Sequence, residues 1–190
     1  VLHRARELIE AGAVGEVTQV RGRFSFLLDR PGDVRWEPDL GGGSLWDIGS
    51  YPVSFLRWIM GEPNRVFGWQ TLSESGVDAT FAGLLQYDKD VLGIFSCSFR
   101  EPFRSHVEIG GTQGTVVIER PYPPTEETRL LLRSLGEDDE KTVAVARQDA
   151  YHYEVEALTA AVLDGAPLAV PLDSSRANVA TLTALYESAR

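Results

Sequence analysis

Three observations predict an α+β domain, built on an open, largely antiparallel β-sheet with helices on one face. Between Arg65 and Ala146 the periodic segments carry strand signals only. Helical spacing is confined to the two ends of the chain and to one segment near residue 50. Strands followed by helices, without βαβ alternation, argue against a doubly wound fold.

The elements follow in order. Leu2, Ala5, Leu8 and Ile9 recur at helical spacing, and Gly12 and Gly15 stop that helix. From Val17 to Phe26, Thr18, Val20, Phe24 and Phe26 face one way and Gln19, Arg21, Arg23 and Ser25 the other, as in a half-buried strand. Residues 29–43 are rich in Pro, Gly and Asp and form a long loop, and long loops inside compact domains usually serve function. A helix over roughly 47–60 ends at Gly61, with Pro63 just beyond.

Seven strand runs come next: Val66–Thr71, Thr80–Tyr87, Val91–Phe99, His106–Gly110, Thr115–Glu119, Arg129–Ser134 and Thr142–Ala146. Gly, Asp, Pro or charged turns separate them, and the spacing predicts an antiparallel meander. Asp88-Lys89-Asp90 and Leu135–Lys141 are the expected hairpin connections. Two helices close the chain: Tyr151–Leu163, ended by Asp164-Gly165, and Ser174–Ala189, with Asp173 as its N-cap.

At 190 residues and 43% hydrophobic, the chain suits one domain with a real core. It begins at Val1 and already inside a helical pattern, which suggests a piece of a longer protein. Several strands are apolar on both faces; Val91, Phe95 and Phe99 point one way, Leu92 and Ile94 the other. A second subunit or a further domain is expected to cover the second face.

The net charge of −10 opposes binding to nucleic acid or to an anionic membrane. No apolar run approaches the ~20 residues that span a bilayer, and Glu7 and Glu10 interrupt the only signal-peptide candidate. The single cysteine, Cys97, excludes an intrachain disulfide; its strand-like surroundings suggest a buried, inert thiol and a cytoplasmic, reducing compartment.

The chemistry concentrates in Gly41-Gly42-Gly43-Ser44-Leu45-Trp46-Asp47-Ile48-Gly49-Ser50-Tyr51-Pro52. Three glycines permit positive φ and a close approach of backbone to a ligand or another segment. Asp47 and Tyr51, four apart, share a face if the segment is helical. A carboxylate accepts hydroxyl hydrogen bonds and a phenol relays a proton, so the pair suits a polyol. The plainer alternative is that Asp47 caps a helix and Tyr51 packs with its hydroxyl at the surface. Pro52 disfavours helical geometry at Tyr51, so a kink or a later helix start is expected.

The run GGGSLWDIGSYPVSFLRWIMGEP resembles the GGG-x-L-x-D-x-G-x-[HY] signature of the glucose–fructose oxidoreductase/inositol dehydrogenase (Gfo/Idh/MocA) family. GAVGEVTQVRGRFSF, Arg35-Trp36, GGTQGTVVIE and YHYEVEALTAAVLDG extend the resemblance across essentially the whole chain. Tyr51 is similar to the branches of glucose–fructose oxidoreductase, dimeric dihydrodiol dehydrogenase and aldose dehydrogenases, which differ from His-bearing inositol dehydrogenases. The resemblance implies a C-terminal substrate-binding and oligomerisation domain spanning residues 1–190, with an N-terminal Rossmann domain upstream that binds NAD or NADP. It implies Asp47 as substrate orienter and Tyr51 as acid/base, serving a sugar or polyol together with a lysine of a Glu-Lys-Pro motif. It also implies a homo-oligomer formed through the sheet.

The chain itself has no Gly-x-Gly-x-x-Gly and no Glu-Lys-Pro, so no cofactor is expected on this chain alone. Arg35 and Trp36 are candidates for substrate contact, with a surface Arg stacked on its neighbouring Trp as the alternative. His152, opening its helix, can edge a pocket or stand solvated. His3, His106 and His152 lack metal-ligand spacing, so no metal is expected. Two functions remain open: part of an NAD(P)-dependent oxidoreductase, or a non-catalytic carbohydrate-binding or assembly module.

Overall fold

The structure is a computed structural model that describes residues 1–137, 139–145 and 149–189. Its elements are α1 (Leu2–Glu10), β1 (Val17–Leu27), a π-helical turn (Leu45–Gly49), α2 (Ser50–Met60), β2 (Arg65–Leu72), β3 (Asp78–Gln86), β4 (Leu92–Ser98), β5 (Arg100–Gly111), β6 (Gly114–Pro121), β7 (Pro124–Ser134), β8 (Lys141–Val143), α3 (Ala150–Leu163) and α4 (Leu172–Ser188). The α+β class and the open, largely antiparallel sheet stand.

The meander does not. The eight strands lie in the order β2-β3-β4-β1-β5-β6-β7-β8, so β1 separates β4 from β5. It runs parallel to β4 (Gly22 opposite Phe95) and antiparallel to β5 (Gly22 opposite Val107). The chain leaves β4 and passes around the end of β1, where Leu28 N–H donates to Phe99 O (2.9 Å) and Ser25 Oγ–H to Pro102 O (3.0 Å). Local turn signals mark a reversal but do not say whether a third strand lies inside it. The Asp88–Asp90 hairpin is as expected, with Lys89 and Asp90 at positive φ. The last strand is shorter than the expected Thr142–Ala146, and Ala146 lies outside the described residues, as does Asp138 of the preceding loop.

One row across the sheet reads Gly68, Gly83, Phe95, Gly22, Val107, Ile118, Leu130, Val143, and it faces the core. The helices that pack do so on this face: α2 against β1 and β4, α4 against β2, α1 against β6. A Cβ on Gly22 would fall 2.6 Å from Pro52 Cβ, so the absence of a side chain lets α2 lie directly on β1. The buried Arg57 ties α2 to α4, donating from Nε to Glu62 (2.9 Å) and from one terminal nitrogen to Ser174 O (3.3 Å) and Asn178 Oδ1 (3.2 Å). Helix α4 starts at Leu172, two residues before the expected Ser174, with Pro171 in the N-cap position; Asp173 therefore sits inside the first turn and is not a cap. There its carboxylate still faces the positive end of the helix.

The opposite face carries Phe67, Trp69, Leu84 and Leu92, all exposed. Among the described residues, no helix is long and apolar enough to cross a membrane.

Candidate functional site

The site forms where the 29–43 loop meets the start of α2. Two short 3₁₀ turns, Val34–Trp36 and Pro38–Leu40, give that loop its shape. Asp33 caps the first by accepting from Arg35 N–H (3.0 Å). Gly43 then brings the backbone against strand β3: its φ is +120°, and a Cβ there would lie 2.2 Å from Asp78 Oδ1. Only glycine satisfies both the conformation and the space.

Asp47 sits in the π turn and Tyr51 in the first turn of α2, so no single α-helical face carries both. Pro52 lacks the N–H that an uninterrupted helix would use, and the chain answers with the wide turn before it. Ser50 Oγ–H donates to Asp47 O (3.3 Å), supplying a hydrogen bond in that turn. The expected kink is thus a π turn, a geometry frequent at functional sites.

The loop and the turn meet in an ion pair. Arg35 Nε donates to Asp47 Oδ2 (2.7 Å), and Arg35 also reaches Asp33 Oδ1 (3.3 Å). The bond to Asp47 is the main reason that Arg35 holds its proton more firmly than usual. Asp33 is shifted down, chiefly by the Arg35 backbone N–H. Asp47 therefore anchors a guanidinium and does not cap a helix. Arg35 lies over Phe26 (5.9 Å) and does not stack on Trp36. Trp36 packs edge-on against Phe99 (5.2 Å), which places it in the wall of the core.

Tyr51 is 49% exposed. Its ring rests on Phe24 (5.4 Å) and Tyr122 (5.5 Å), which cover part of it. Its phenol is pushed above the ordinary tyrosine range, first by partial burial, then by the Asp47 carboxylate, with smaller contributions from Tyr151 and Glu154 of α3 and opposition from Arg35. His152 does not join them: its Nε2 lies 3.1 Å from Glu156 on the exposed surface of α3. A shallow hollow of ≈ 250 Å³ opens beside the ion pair, lined by Val34, Arg35, Leu40, Gly41, Gly42, Trp46 and Asp47.

Asp78 is a residue that motif reading missed. It is buried and accepts from Ser44 Oγ–H (2.6 Å), Leu45 N–H (2.8 Å) and Tyr186 O–H (2.5 Å). It thereby clamps the end of the glycine run and ties it to α4. Burial raises its carboxyl pKa, and the three donors oppose that rise. The signal in the sequence was a carboxylate set between Val77 and Ala79 at the head of an apolar strand, where an unpaired charge would be costly.

The model of the GFO/IDH/MocA C-terminal domain matches residues 2–117. The chain belongs to that family. A D-xylose 1-dehydrogenase (NADP(+)) of Haloferax volcanii is 35% identical over 190 residues, covering 98% of this chain and 58% of the relative. A trans-1,2-dihydrobenzene-1,2-diol dehydrogenase of Mus musculus is 35% identical over 124 residues, covering 64% of this chain and 37% of the relative. The fold matches a 3-ketoreductase from Actinomadura kijaniata, solved in complex with NADP and TDP-benzene, at a TM-score of 0.92 with 20% identity, covering 99% of this chain and 58% of that one. An aldose-aldose oxidoreductase from Caulobacter crescentus, complexed with glycerol, gives a TM-score of 0.88 at 23% identity, covering 100% and 58%. The chain thus spans little more than half the length of its full-coverage relatives.

Proposed function

We propose that this domain is the substrate-binding part of an NAD(P)-dependent oxidoreductase acting on a CH–OH group of a sugar, polyol or related diol, in the cytoplasm. The observation that carries this is the Arg35–Asp47 ion pair beside a hollow walled by Trp46 and the glycine run, with the half-exposed Tyr51 four residues on, outside the hollow's lining but within the influence of both charges. Asp47 and Arg35 present an acceptor and a donor fork to neighbouring hydroxyls, the complement of a vicinal diol. Tyr51 moves the proton on the reacting oxygen. Trp36 supports this wall from the core side, and His152 plays no part in it.

The described residues do not fit a dinucleotide. A pyrophosphate needs free N–H groups at a helix start fed by a glycine loop. In α3 those N–H groups are taken by the Asp149 carboxylate, α4 opens on Pro171, and after the glycine run that leads to α2 the Leu45 N–H is taken by Asp78 and the Asp47 N–H by Gly43 O. The nicotinamide is therefore assigned to an upstream Rossmann domain of the longer protein, and Asp47, Arg35 and Tyr51 serve the substrate's oxygens alone.

The test is steady-state oxidation by the longer protein, with NAD and NADP each tried against D-xylose, other aldoses, polyols and trans-diols. Reduced nicotinamide should form with at least one of these. A folded longer protein that binds the sugar but turns over none of them would make the domain a carbohydrate-binding module instead. In calorimetry, residues 1–190 alone should show no measurable NADP binding; micromolar binding would overturn the assignment of the cofactor elsewhere.

The exposed Phe67, Trp69, Leu84 and Leu92 support self-association through the open sheet face. At tens of micromolar the protein should sediment as a dimer, and Trp69→Glu should shift it to monomer. A wild-type monomer at that concentration would refute this.

A further inference from the structure

Helix α3 is well started but buries none of its side chains. Asp149 accepts from Tyr151 N–H (2.9 Å) and His152 N–H (3.4 Å), a sound N-cap, yet none of its 14 residues is buried. Tyr151, Val155, Leu158 and Val162 follow i, i+4, i+7, i+11 spacing, so they form one stripe along the helix. All four are between 59% and 71% exposed. Beyond the helix, Leu168, Val170 and Leu172 alternate along the chain and are exposed as well. A helix of this length is marginal in water without tertiary cover, and an apolar stripe of this spacing is the pattern that packs against another helix.

The position of the stripe says what covers it. Tyr151, its first member, and Glu154 lie near enough to Tyr51 to act on its phenol, so the stripe starts at the rim of the site. Tyr51 itself is 49% exposed, so the described residues do not close this rim. In the relatives matched over the full chain, 58% of the length is accounted for, leaving about two-fifths outside it. We infer that the stripe Tyr151–Val155–Leu158–Val162 is the docking surface for an apolar helix face of the upstream domain, which brings that domain against Tyr51. The inference rests on the proposal that the chain is one domain of a longer oxidoreductase. The open sheet face remains for the second copy.

Photocrosslinking in the longer protein tests it, with p-benzoylphenylalanine placed at position 158 and, separately, at 155 and at the exposed turn position 135. The expected result is an intramolecular crosslink from 158 and 155 to a segment upstream of residue 1, located by peptide mass spectrometry, and none from 135. Crosslinks from 158 and 155 into a second copy, or yields no higher than at 135, would overturn it. A second readout is hydrogen exchange over residues 150–163: Leu158→Glu should speed it at least tenfold, whereas Leu135→Glu should leave it unchanged. An already fast wild-type helix would also overturn the inference. Neither measurement needs turnover, so an inactive protein with the expected crosslink would refute the catalytic proposal and leave the docking surface standing.

Discussion

Tyr51→Phe in the longer protein is expected to lower kcat by about 10²-fold or more, the usual loss when a general acid/base is removed, with the fold intact. The ring packs against the rings of Phe24 and Tyr122, and phenylalanine keeps those ring contacts. Only the hydroxyl is lost. Burial and the Asp47 carboxylate raise the phenol's pKa, so at neutral pH it carries its proton. That suits donation to a carbonyl oxygen; accepting a proton from an alcohol requires a positive neighbour to pull the pKa back down. Asp47→Asn removes one of the charges that raise it and releases Arg35, which lowers it. The phenol should then titrate at lower pH, while KM rises because Asp47 holds a substrate hydroxyl and kcat falls because the reacting oxygen is no longer fixed in place. Near wild-type kcat in a folded Tyr51→Phe protein would remove Tyr51 from the mechanism.

Asp78→Ala is expected to cost about 3 kcal/mol, since it orphans three donors in a buried position at ~1–3 kcal/mol each, offset by relief of the carboxylate's own desolvation. For a domain of this size that corresponds to a fall of roughly 6–12 °C in Tm, measurable by scanning calorimetry. Asp78→Asn keeps the shape and an acceptor and should lose less. The pH dependence has a definite sign. Burial raises the folded carboxyl pKa above its unfolded value, so the contribution is fully present below the unfolded pKa and declines as pH rises through the folded one. The stability gap between wild type and Asp78→Asn should therefore widen as the pH is lowered from neutrality. Because Asp78 holds Ser44 and Leu45, the alanine variant should also raise KM by displacing Asp47. An unchanged Tm in Asp78→Ala would show that the clamp contributes nothing.

The candidate site was partly legible in the sequence. Asp47 and Tyr51 stand in a motif whose glycines announce a close backbone approach, and Arg35 lies in a loop too long to be idle. Their pairing was not legible. Arg35 and Asp47 are joined across 12 residues only because two 3₁₀ turns fold the loop back, and Asp78 reaches Ser44 from 34 residues away because β3 starts beneath the glycine run. His152 is adjacent in sequence to Tyr151, which influences the site, yet one step around a helix turns its side chain about 100° away.

What the residues determined by themselves is whatever rests on short-range physics: the periodicities of the helices and most strands, the glycine stops, the Asp88–Asp90 turn and the α+β class. The tertiary structure alone decided the strand order and the register between distant segments. Alternation shows that β1, β4 and β5 are strands, but pairing depends on which edges meet. The chain loops around β1 because Gly22 lets α2 press on that strand from above while Val20 and Phe24 enter the same core as Phe95 and Val107. No local pattern encodes that arrangement, because its stabilisation comes from surfaces that are buried together only once the sheet has formed.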